Sequence, residues 1–152
     1  MSEFRYIGRK RRPKEDRRFI SGAGRYVADV NPPGLLHVAL VASPYPFARI
    51  GKIDSTAALR IPGVKAIVTG EDIAQAIAPM MTALDLPNVK RYPLAKDLAR
   101  YPGEWVAAVV ADTRALAEDA AEKVAIDYEQ LPFVLDAEEA LKPDSPKVHA
   151  DH

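Results

Sequence analysis

The chain has no cysteine, which excludes disulfides, thiolate metal sites and cysteine-held iron–sulfur clusters on this polypeptide. No apolar run approaches the roughly 18 residues of a membrane-spanning helix. The pairs Arg11-Arg12 and Arg17-Arg18 suggest a twin-arginine export signal, but no apolar segment follows either, and the cytoplasm is the expected compartment. Serines are few (Ser2, Ser21, Ser43, Ser55 and Ser145), and none lies in a Gly-x-Ser-x-Gly context. Walker-type loops are absent. Of the histidines, His37 alone lies inside the expected folded body. It has no paired nucleophile, carboxylate neighbour or second ligand, and is read as structural. His149-x-x-His152 falls at the chain end and is read as incidental. The residues therefore assign no catalytic, cofactor-binding or metal-ligating side chain.

A length of 152 residues suits one domain with a tail, able to bury roughly 70% of its unfolded surface. The apolar fraction of 48% is ordinary for a globular protein. A net charge of zero conceals an asymmetry: residues 1–18 carry eight Lys and Arg against three acids, a net of +5, and the remainder carries −5. Such a basic arm can bind nucleic acid, an anionic membrane or an acidic partner chain, or be solvated. Phe4, Tyr6 and Phe19 are scattered among polar residues rather than interleaved to pack bases, so docking or solvation is favoured over nucleic acid.

The most informative stretch is Tyr101 to Phe133. Trp105–Ala111 is apolar without alternation, the mark of a strand buried on both faces. Asp112-Thr113 suits a helix cap, and Leu116, Ala120 and Val124 form one helical face. From Val124 the period becomes two, with Val124, Ile126 and Tyr128 on one side, giving a half-buried strand closed by Leu131-Pro132. Strand, helix and strand in succession predict a right-handed crossover unit.

Residues 1–20, with Pro13 at their centre, read as an extended arm. Gly22 and Gly24 lack the third glycine, preceding strand and following helix of a phosphate loop, so a tight turn is expected there. Leu35–Ala42 reads as a core strand, and Ser43–Arg49 as irregular because of Pro44 and Pro46. Ile50–Asp54 is a short strand, Asp54-Ser55-Thr56 caps a helix through Leu59, and Val64–Thr69 is a strand. Thr69-Gly-Glu-Asp72 predicts a capping box. The acidic pair Glu71-Asp72 there suits the helix start, without a catalytic dyad. Residues 79–100, with Pro79, Met80-Met81, Pro87 and Pro93, are the least regular and are a candidate mobile loop or docking surface. Asp136–Leu141 is a short helix. Pro-Gly turns at 33–34, 62–63 and 102–103 each precede an apolar strand. The fold class is a mixed α/β domain of four or five strands with two or three short helices on the sheet, divided as an arm at 1–20, a body at 21–142 and a tail at 143–152.

Several stretches together resemble a known family. Gly22-Ala-Gly-Arg-Tyr-Val-Ala-Asp29 with Pro33-Gly-Leu-Leu-His37, then Ser43-Pro, Ala48-Arg-Ile, Ile53-Asp54, Pro62-Gly-Val and Thr69-Gly-Glu-Asp72, are similar to the opening of the large subunit of molybdenum hydroxylases. Pro93-Leu-Ala95, Gly103-Glu104, Ala117-Glu-Asp-Ala120 and Asp127-Tyr-Glu-Gln-Leu-Pro132 continue the likeness, which covers nearly the whole chain. That family comprises xanthine dehydrogenase, aldehyde oxidase and carbon monoxide dehydrogenase. The region resembled is its α/β hammerhead domain. Tyr45 and Phe47 stand where the family often has histidines.

The resemblance implies a non-catalytic chain within an oxidoreductase, because the family's molybdopterin-contacting loops and glutamate base belong to parts not matched here. Either the large subunit is split, the reading preferred on the opening Met1 and an end outside any element, or the sequence is a fragment. A hetero-oligomer is then expected, with a molybdenum-binding catalytic chain, an iron–sulfur subunit and often an FAD subunit. Molybdopterin, [2Fe-2S] clusters and FAD would sit in those partners, and the assembly would oxidise or hydroxylate a small organic substrate. The basic arm and the 79–100 loop are the expected contacts. The competing expectation is an autonomous binding module that uses the arm for an anionic partner, in a salt-dependent way.

Overall fold

A computed structural model of the chain describes residues 5–80 and 90–149. Its contacts divide into two units, Met1–Leu35 and Leu36–His152. The first contains a short helix α1 (Asp16–Ile20) and a single 3-10 turn at Val27–Asp29. The helix corrects the expectation of a wholly extended arm. It is five residues long and buries none of them, so it leaves no apolar period to read. Its Phe19 ring stacks on Tyr26 with centroids 5.4 Å apart. The Arg18 guanidinium lies 5.2 Å from the centre of the Phe19 ring, and Arg5 and Arg11 lie at similar distances from Tyr6. Tyr6 and Phe19 are thus platforms for neighbouring arginines.

The second unit contains β1 (His37–Ala42), β2 (Ala48–Asp54), α2 (Thr56–Leu59), β3 (Val64–Thr69), α3 (Gly70–Ala76), β4 (Leu98–Ala99), β5 (Trp105–Ala111), α4 (Arg114–Ala121), β6 (Ala125–Gln130) and α5 (Ala137–Ala140). The strands form two three-stranded sheets, ordered β1-β5-β3 and β4-β2-β6, with every pairing antiparallel. The mixed α/β class holds, but the crossover unit does not. β5 and β6, the strands on either side of α4, belong to different sheets, so the chain changes sheet instead of returning to the same one. Spacing and periodicity describe strand, helix and strand equally well in both cases, because only pairing distinguishes them.

Local chemistry sets the element ends. Thr113 accepts a bond from the Leu116 amide at the start of α4, and the Asp136 carboxylate accepts from the Glu138 and Glu139 amides at α5. At α3 the capping box forms as the sequence predicts: the Asp72 amide donates to Thr69 Oγ1, and the Thr69 amide donates to Asp72 Oδ2 at 2.8 Å. The three Pro-Gly turns close with amides of Leu35, Val64 and Glu104 donating to the carbonyls of Pro32, Ile61 and Tyr101. Each glycine takes the positive φ that a turn with proline at the preceding position needs.

The core lies between the sheets and under α4. Val109, fully buried at the centre of β5, packs with Ala58, Ala120 and Val124, and with half-buried Ile53, Ile67 and Ile126. Ile50, Ala95, Ala99 and Val106 form an adjoining cluster with Tyr128. The β1–β5 register shifts, so that Val41 faces Ala107 and Ala42 faces Trp105, leaving Val106 unpaired. Val106 and Ala107 are consecutive yet both fully buried, as a bulge that turns two successive side chains inward allows. β1 is not the core strand expected from its composition: it alternates half-buried and exposed and pairs only with β5 among the described strands. After His37 the strand is wholly apolar, VALVA, and carries no signal of which side faces solvent.

Candidate functional site

The side chains weighed for chemistry in the sequence are held in separate local structures. Asp72 is used by the α3 cap, and its carboxyl is held below the ordinary carboxylate range by the Thr69 hydroxyl first and the Thr69 amide second. Glu71 bonds Gln75 at 3.1 Å and pairs with Lys96 at 3.0 Å. These partners, Gln75 foremost, likewise lower its pKa. The two carboxylates therefore point to different partners and form no dyad. Gly22 takes a positive φ in a turn, and Ser21 donates to the Arg18 carbonyl at 3.1 Å. Ser2, Met81, Pro87 and His152 lie outside the described residues.

Among the described residues Ser43 is the one buried polar residue. Its Oγ accepts from the Tyr45 amide at 3.2 Å, and its backbone docks onto the 101–104 turn: its amide donates to Glu104 O and its carbonyl accepts from Gly103 N, both at 2.8 Å. The Tyr128 ring lies against Tyr45, with centroids 5.3 Å apart. Burial pushes the Tyr128 phenol up, with the nearby Ser43 hydroxyl pulling it partly back. Among the described residues, neither that hydroxyl nor any other group completes hydrogen-bond geometry with the phenol oxygen. This polar corner was missed in the sequence, where Ser43-Pro signalled only irregular backbone.

His37 begins β1 opposite Ala111 and lines an open groove of ≈ 720 Å³ between α4 and the edge of β1 that no described strand pairs. The α4 side of the groove carries Arg114, Glu118 and Glu122. Arg114 Nε pairs with Glu118 Oε1 at 2.8 Å, and that contact raises the arginine pKa. A strand edge beside a self-paired charged helix offers backbone donors and acceptors, the chemistry of chain pairing. Among the described residues no three His, Asp or Glu side chains gather where they could hold a metal ion. No helix among them is long and apolar enough to cross a membrane.

Two small antiparallel sheets with helices at their junction, built on this register, define an α/β hammerhead. The family model for the aldehyde oxidase and xanthine dehydrogenase a/b hammerhead domain matches residues 21–132, and the chain belongs to this family, the molybdenum hydroxylases. It is 43% identical to the carbon monoxide dehydrogenase large chain of Hydrogenophaga pseudoflava over 91% of its own length and 17% of that protein's. To the nicotine 6-hydroxylase large subunit of Paenarthrobacter nicotinovorans it is 40% identical, again over 90% of this chain and 17% of the relative. The crystal structure of quinoline 2-oxidoreductase from Pseudomonas putida 86 superimposes with a TM-score of 0.80 at 39% identity, covering 87% of this chain and 17% of that one. The chain thus spans about one sixth of the length of these relatives.

Proposed function

We propose that this chain is a structural, non-catalytic part of a multi-subunit molybdenum-containing oxidoreductase that oxidises or hydroxylates a small organic substrate. The observation that supports it most is the family match over residues 21–132, which falls on the a/b hammerhead domain. The engagement of Glu71, Asp72 and Ser43 in capping, ion-pair and turn contacts fits the same role.

A cysteine-ligated [2Fe-2S] cluster does not fit this polypeptide. It has no cysteine to ligate a [2Fe-2S] cluster, and its described residues gather no set of three metal-ligating side chains. In this reading molybdopterin, [2Fe-2S] clusters and FAD are held by a molybdenum-binding catalytic chain, an iron–sulfur subunit and an FAD subunit. The present chain holds them in register, in the cytoplasm, with neither nucleic acid nor membrane as partner. The body at 21–142 supplies the wall, and the basic arm at 1–20 reaches a neighbouring chain. Native mass spectrometry of the untagged protein from its own host, with molybdenum and iron assayed on the same fraction, tests this. Co-purification with larger chains containing both metals is expected. A lone, metal-free monomer overturns the proposal and leaves salt-dependent anion binding by the arm as the reading to pursue.

A further inference from the structure

An antiparallel sheet with one face in the core ordinarily presents polar side chains on the other. The β1-β5-β3 sheet does not. Its core face contains Val41, Val109 and Ile67. On the opposite face the register places Val38, Val110 and Ala66 in one row and Leu40, Ala108 and Val68 in the next. Trp105, paired with Ala42, completes the edge of that face. All of these side chains are apolar, and none is buried: Val38 is 58% exposed, Trp105 51% and Leu40 41%, and Val110, Ala108, Ala66 and Val68 are half-buried. Solvated aliphatic side chains covering three adjacent strands make a contiguous patch of the kind that marks an interaction surface.

We propose that this face is the packing surface for the molybdenum-binding remainder of a family large subunit. The inference rests on the assembly proposed above. Two observations select the occupant. The two rows contain no charged side chain, and the Lys65–Asp112 ion pair adjoining them at one end of β3 and β5 is neutralised internally, so the face complements an apolar protein surface and neither an anionic ligand nor a nucleic acid. In the family to which the chain belongs, this domain makes up only 17% of a carbon monoxide dehydrogenase large chain, so most of the polypeptide available to cover it lies outside the described domain. The strand edge of β1 borders the same patch, and its backbone, which pairs on one side only among the described strands, extends the surface on which the remainder can settle.

The absence of cysteine makes a direct test possible. Val38→Cys places a single thiol on the face, at a position exposed enough to leave the core untouched. The variant is isolated from its own host with whatever it binds, and molybdenum is assayed on the same fraction. Maleimide labelling in a molybdenum-containing assembly is expected to run at least about tenfold slower than after dissociation. A benzophenone probe on that thiol is expected to cross-link to a larger chain. Full-rate labelling within a molybdenum-containing assembly, or cross-linking to a second copy of this chain, overturns the inference while leaving the proposed function standing. A metal-free lone chain overturns both. Leu40→Asp gives an independent reading: the isolated chain should keep its circular dichroism spectrum and lose the assembly, and an assembly that survives the aspartate counts against the proposal.

Discussion

Gly70 lies against the carbonyl of Ala95 so closely that a Cβ at position 70 would meet that carbonyl and stand 2.7 Å from the Lys96 Cα. This contact fixes the start of α3 on the segment leading into β4, and the Glu71–Lys96 ion pair sits beside it. The obstruction is backbone, which cannot rotate away. Gly70→Ala should therefore destabilise the domain by about 1–3 kcal/mol, the usual cost of overpacking, although alanine is the better helix former. Urea denaturation measures it, and an unchanged midpoint would show that the 94–97 segment can yield.

The capping box gives a prediction with a sign in pH. Thr69→Ala removes the side-chain oxygen that receives the Asp72 amide and should cost about 1 kcal/mol near neutral pH. Asp72 titrates below its unfolded value because Thr69 bonds favour the carboxylate. Its stabilising contribution is therefore complete above the unfolded pKa and is lost as pH falls through the depressed folded one. The advantage of the native protein over Asp72→Asn should be present near neutrality and vanish in strong acid. Thermal melts across that range check it, and an advantage that persists in acid would assign it to side-chain shape instead of charge.

Two Pro-Gly turns separate backbone strain from crowding. Gly63 and Gly103 have φ values of 97° and 87°, where a non-glycine residue costs roughly 1–2 kcal/mol. A Cβ on Gly103 meets nothing within 4 Å, whereas one on Gly63 comes to 2.8 Å from Leu116 Cδ1. Gly103→Ala should show the conformational cost alone and Gly63→Ala a larger loss. Equal losses in denaturant titrations would mean that Leu116 moves aside without penalty.

Much of this architecture was legible because it is local. The strand over Val64–Thr69, the Thr69–Asp72 box, the Thr113 cap and the alternation from Val124 to Tyr128 are each set within a few residues, and each stands as read. What failed was long-range. Whether β5 and β6 share a sheet depends on β2 inserting beside β6, and no spacing around α4 records that. The short α1 was invisible because it buries nothing. The outward apolar face was hidden for the opposite reason: in VALVA (Val38–Ala42) and WVAAVVA both faces are apolar, so periodicity cannot tell a strand covered on both sides from one still waiting for its cover.

That ambiguity can be resolved on two consecutive residues. Val109 is fully buried and packs against α4 residue Ala120, whereas Val110 lies on the outward face between Val38 and Ala66. Val109→Ala removes two methyl groups from a closed site and should destabilise the isolated chain by about 2–3 kcal/mol, combining lost transfer energy and a cavity. Val110→Ala removes the same atoms from a half-open site and should cost the isolated chain well under half as much. If the outward face is covered in an assembly, the order changes there: Val110→Ala should weaken association with the larger chain, read as faster subunit exchange, and Val109→Ala should act only through folding. Equal destabilisation of the isolated chain by both variants would mean that the outward face is already closed by this polypeptide alone, and the case for a docking surface on the β1-β5-β3 sheet would fall with it.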